Sequence, residues 1–136
     1  MKKYASLSII YAALAMAGGV FYREFTKFQG FTGKTTLSVL HTHYFLMGMV
    51  VFLLLLLLEK AFAFSDRRTG KILAVYQVGL NITCLAFLVR GILQVLGTEL
   101  SRAVDASLSG VAGIGHILLG VSLLLLLLQI RKKAAN

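Results

Sequence analysis

The sequence predicts an all-α integral membrane protein, a four-helix bundle forming a single transmembrane domain over residues 1–136. Three observations predict it. The chain of 136 residues is 58% apolar, with a mean hydropathy of +0.85, well beyond an ordinary soluble domain. Four apolar runs, at 4–22, 39–58, 72–96 and 108–130, each approach the roughly 20 residues that cross a hydrocarbon core. The cations collect at the flanks of those runs. Lys2, Lys3, Lys60, Arg67, Arg68, Lys71, Arg131, Lys132 and Lys133 fall on one side, against Arg23, Lys27, Lys34 and Arg102 on the other.

The positive-inside rule then puts both termini and the loop 59–71 in the cytoplasm, with the loops 23–38 and 97–107 outside. A net charge of +9 distributed in this way requires no nucleic-acid partner. The expected setting is a membrane crossed four times.

The first run follows "MKK" and contains "AMA" at Ala15–Ala17, which imitates a secretory signal and its cleavage site. The run continues to Tyr22, and an even number of spans puts both basic flanks on one side. An uncleaved first helix is therefore expected. The loop "REFTKFQGFTGKTT" spaces Phe25, Phe28 and Phe31 three apart. That spacing suits a turn of helix at the membrane surface or a loop folded over the bundle. "GFTGKT" lacks the first glycine of a phosphate-binding loop, since Phe28 stands there, and no strand precedes it.

The second run, "SVLHTHYFLMGMVVFLLLLLLEK", carries His41 and His43 at one end. Two residues are about 200° apart on a helix, so these side chains point to nearly opposite sides. The third run holds Gln77, Asn81, Cys84 and Arg90. Gln77 and Asn81 suit hydrogen bonds between helices. The lone cysteine allows no intrachain disulfide. Arg90 lies about 9 Å inside the outer edge at 1.5 Å per residue. Snorkelling, or pairing with Asp105 or Glu24, is one expectation for it. The fourth run contains "GVAGIGHILLG", in which Gly113, His116 and Gly120 share a face. His116 lies about 12 Å deep by the same rise. All three histidines and Arg90 thus share the outer half of the bilayer. The order histidine, glycine, six leucines and a polar residue recurs in the second and fourth runs, as a duplicated hairpin or a convergent composition would give.

Three function classes follow. The first is b-type haem, with His41 and His116 as axial ligands. Gly48, Gly113 and Gly120 would make room beside the macrocycle, and Arg90 would meet a propionate. Loss of haem is then expected for His41→Ala and His116→Ala, with a milder effect for His43→Ala. The second is zinc or copper held by His41, His43 and His116. The third is a non-catalytic accessory subunit or small transporter, its histidines structural or proton-linked. No serine–histidine–carboxylate set appears within the runs. Partners expected are the lipid bilayer, a redox partner within it for the haem reading, and a second copy meeting through the glycine-lined faces.

The stretches "GVFYREFTKFQGFTGKTTLSVLHTHYFLMGM", "RGILQVLG" and "SGVAGIGHILLG" resemble an uncharacterised family of small four-span membrane proteins from Gram-positive bacteria. The resemblance covers nearly the whole chain and implies a plasma membrane and four spans, with no activity attached. "LHT" at Leu40–Thr42 is also similar to the run that bears a low-spin haem ligand in cbb-type oxidases and nitric oxide reductases. That match implies His41 as the ligand.

Overall fold

A computed structural model describes residues 1–135. It contains four helices, α1 Lys2–Phe28, α2 Leu37–Phe62, α3 Arg67–Val95 and α4 Arg102–Ala134, each long and apolar enough to cross a membrane. No strand occurs among the described residues. Every helix begins before its apolar run, and all but α3 end beyond it. Lysine, arginine and glutamate at the flanks are good helix formers, so the helical conformation outlasts the hydrophobic stretch. For the same reason Phe25 and Phe28 extend α1 instead of forming a separate surface turn, while Phe31 lies in the following loop.

Short links make successive helices antiparallel, so the chain has a basic end and a histidine end. At the basic end the Tyr4 hydroxyl pairs with that of Ser65, and Gln129 donates to Asp66 at 2.8 Å. Helix α1 packs chiefly on α2, and α4 chiefly on α3. About 44% of the apolar window of α3 is buried, against 17–28% in the other three, which makes α3 the inner element. Elsewhere the helices present large apolar side chains outward, among them Ile9, Leu46, Leu85, Ile117 and Leu124. An apolar exterior of this extent accords with helices long and apolar enough to cross a membrane.

Aromatic rings fill the centre. Tyr11 stacks on Phe52 and Tyr44 at 5.5 and 5.8 Å between centroids, and Tyr76 meets Phe52 edge-on at 6.1 Å. Each such pair adds about 0.5–1.5 kcal/mol beyond burial. Asn81 serves the expected tying role. Its amide nitrogen donates to Tyr11 at 3.1 Å and its oxygen accepts from Tyr44 at 3.2 Å, joining three helices. Gln77 instead turns back on the Leu73 carbonyl of its own helix.

Helix α2 is locally unwound to π geometry over Tyr44–Val50. The wider turn weakens the regular ladder and leaves carbonyls able to accept from outside. Tyr76 donates to Met47 O at 2.6 Å and Ser8 to Met49 O at 3.0 Å. Gly48 lies in this stretch, and a Cβ there would fall 2.6 Å from Tyr11. The glycine therefore admits the Tyr11 ring, so the expected cofactor space at Gly48 is filled by protein.

Helices α3 and α4 cross at Gly79 and Gly115. A Cβ on Gly79 would lie 2.6 Å from Leu119 N, and one on Gly115 would lie 2.9 Å from Thr83 N. Both obstacles are backbone, which cannot rotate aside. By contrast, Gly113 and Gly120 face open space. At the basic end Asp66 caps α3, accepting from Thr69 N at 2.7 Å and from its hydroxyl at 2.9 Å. These bonds, the backbone one first, hold the Asp66 carboxyl below the usual carboxylate range.

Two outcomes are expected. Gly79→Ala lowers the unfolding free energy in detergent by about 1–3 kcal/mol, while Gly113→Ala leaves it nearly unchanged; denaturant titration followed by circular dichroism compares them. A pH series of melting temperatures checks the cap. A carboxyl with a depressed folded pKa stabilises above its ordinary pKa and loses that contribution as pH falls through the lowered one. Asp66→Ala should therefore lower the melting temperature at neutral pH, and the gap to the parent should close in acid.

Candidate histidine site

His41 and His43 leave α2 in its first two turns, before the π stretch, where regular helix sends them to opposite sides. His41 turns to α1. It lies against Gly19, whose added Cβ would meet the imidazole at 3.7 Å, and beside the Tyr22 ring, 6.5 Å between centroids. Its Nδ1 is buried without a hydrogen-bond partner. His43 turns the other way, to α3 and α4. Its ring meets Phe87 at 4.9 Å and His116 at 6.0 Å, the two imidazoles nearly perpendicular at 88°. Phe87 also stands 5.7 Å from His116. The structure thus pairs His116 with His43, and the expected pairing of His41 with His116 does not form.

The hydrogen bonds of the pair define its chemistry. His43 Nδ1 lies 2.8 Å from Val39 O, and His116 Nδ1 lies 2.8 Å from Ala112 O. A carbonyl only accepts, so both Nδ1 atoms carry a proton. In each neutral imidazole Nε2 then holds the free lone pair. Metal-ligating histidines are oriented in this way, with the distal nitrogen donating to a backbone carbonyl. Two imidazoles on one ion, at metal–nitrogen bonds of about 2.0–2.1 Å, have ring centres roughly 5–6 Å apart, and the 6.0 Å, 88° arrangement of this pair is equally that of an edge-to-face ring contact.

Arg90 stands one turn beyond Phe87 on α3. Its Nη2 lies 2.9 Å from both the carbonyl and the carboxylate of Asp105, and 2.8 Å from Ser109 Oγ. This is the Asp105 pairing expected of a deep arginine. It fastens the first two turns of α4, from which Ala112 and His116 follow on the same face. Gly113 and Gly120 flank His116 and leave that surface of α4 open.

The expected parts therefore divide. His43 and His116 have the donor atoms for a haem iron, and Gly113 and Gly120 have the clearance beside them. Gly48 is occupied by Tyr11, and His41 stands apart. Arg90 already has an anionic partner. For a bare metal, no group of three or more His, Cys, Asp or Glu side chains converges among the described residues. The three-histidine zinc or copper centre is thus not assembled. Phe87 was absent from the expected site, since a phenylalanine within an apolar run carries no distinguishing signal.

Arg90→Met is expected to loosen the start of α4. Amide hydrogen exchange should quicken over 102–109 while the Gly79–Gly115 crossing stays protected.

No curated protein and no solved structure matches the chain. Residues 1–133 match the model of a family described as a protein of unknown function (DUF2871), and the chain belongs to that family.

Proposed function

We propose that this is a multi-pass protein of a Gram-positive plasma membrane, with its termini cytoplasmic, that holds b-type haem between His43 and His116. The observation that carries the reading is the imidazole pair itself. Two histidines from different helices stand 6.0 Å apart, each with Nδ1 tied to its own helix. Cations at the basic end outnumber those at the histidine end nine to four, Arg90 aside, which supports the orientation. When bound, haem supplies a one-electron redox couple, and electron transfer to a membrane partner is the use that fits.

The chain's own contribution is orientation. Val39 and Ala112 carbonyls fix the tautomer and turn of each ring and raise the basicity of Nε2. Phe87 packs against both imidazoles, 4.9 Å from His43 and 5.7 Å from His116 between centroids. The Arg90–Asp105 pair secures the helix that presents His116.

A bare copper or zinc ion on the same two imidazoles is the second reading. Phe87, close against both rings, favours a small ligand over a large macrocycle.

Absorption spectra of the purified protein, oxidised and dithionite-reduced, test the proposal after expression with haem precursor supplied. A Soret band with sharp reduced α and β bands is expected. His43→Ala and His116→Ala should each lower haem affinity at least about tenfold, whereas His41→Ala should retain it. A featureless spectrum after haemin addition overturns the haem reading. Copper or zinc in elemental analysis, lost in both variants, would then support the second. Neither group bound would leave the histidines as packing residues of an accessory subunit or transporter.

A further inference from the structure

We infer that the α3–α4 seam at the basic end is a binding site for a phospholipid with an anionic headgroup. A groove of about 270 Å³ runs between the two helices, lined by Ile72 and Val75 on α3 and by Ile117, Val121 and Leu125 on α4. From Leu125 to Ile117 it extends about 12 Å at 1.5 Å per residue, enough for a substantial part of an acyl chain. Its floor is apolar even at Ser122, whose hydroxyl donates to the Leu118 and Leu119 carbonyls of its own helix. Lys71 lines the groove at its basic end.

The charge around that end says what covers it. Arg67 and Arg68 stand one turn before Lys71, the spacing that makes neighbours on a helix surface. Among the described residues none of these three cations forms an ion pair; the pairs found are Arg23–Glu24 and Arg90–Asp105, at the other end. The nearest acid, Asp66, already accepts from Thr69 and Gln129. An apolar channel with Lys71 at its mouth and two further cations one helical turn away matches a molecule with an apolar chain and a negative head. Basic residues at the end of a membrane helix attract such lipids. The headgroup end of the groove, at Lys71, lies toward the opposite end of the bundle from the His43–His116 pair, and its test does not depend on haem.

Native mass spectrometry of the full chain in detergent, titrated with phosphatidylglycerol or with phosphatidylcholine of identical acyl chains, measures both halves of the inference. Phosphatidylglycerol should bind about fivefold more tightly, the preference one Lys contributes near a surface. Lys71→Gln should reduce that preference, and Lys71→Arg should keep it. Val121→Trp, which fills the groove, should weaken both lipids without changing helical circular dichroism. Equal binding of the two lipids, or an unchanged preference in Lys71→Gln, overturns the headgroup assignment. Unchanged binding in Val121→Trp overturns the groove. Displacement of the lipid by millimolar inorganic phosphate would show a simple anion site and overturn the inference as a whole.

Discussion

The backbone contact between Gly79 and Gly115 governs the placement of α4. With no side chain at either position the two helices meet main chain to main chain, and Thr83 closes the crossing as a fully buried residue. Dispersion at such short range is among the main attractions between helices in an apolar surround, where lipid and side chain are equally greasy. His116 follows Gly115 directly. The residue that faces α3 thus fixes the azimuth of the residue that faces α2. Phe87, two turns along α3 from Gly79, then occupies the corner where both imidazoles arrive.

Helix α2 solves a different problem. Its leucine-rich half needs no polar partner, but its first half must pack between α1 and α3 at once. The π stretch widens the helix where Gly48 receives Tyr11. It also exposes the Met47 and Met49 carbonyls to hydroxyls from α3 and α1. A buried carbonyl without a partner is costly, so the irregularity and the two hydroxyls stand or fall together. Because the stretch begins at Tyr44, it lies beyond His43 and leaves the opposite orientation of the two histidines intact.

Charged groups are divided between the ends. Toward the histidine end the arginine of α3 is neutralised by Asp105. At the basic end the two acids serve the backbone instead. Asp66 caps α3, and Glu59 accepts from Ser65 N at 2.9 Å. That end consequently keeps a large positive excess at the level where helices give way to loops. Ala63, in the left-handed conformation at φ 45°, ends α2 there and turns the chain into the short link that brings α3 back.

Much of this was legible in the sequence, because the physics behind it is local. Apolar runs of bilayer length specify four helices, and 3.6-residue periodicity sends His41 and His43 to opposite sides. The scarcity of acids leaves Asp105 and Glu24 as the partners open to Arg90, and the fold selects Asp105. What sequence could not decide was which side of α2 faces which neighbour. His41 and His43 are equivalent until α1 and α4 are placed, and that placement depends on main-chain contacts at glycines. Glycine in a membrane-type helix signals close approach without naming the partner. Gly48 admits Tyr11, Gly115 admits α3, and Gly113 and Gly120 admit nothing from this chain. Tertiary structure alone therefore chose His43 over His41 as the companion of His116 and brought Phe87 beside them both, because both choices depend on the relative rotation of helices distant in sequence.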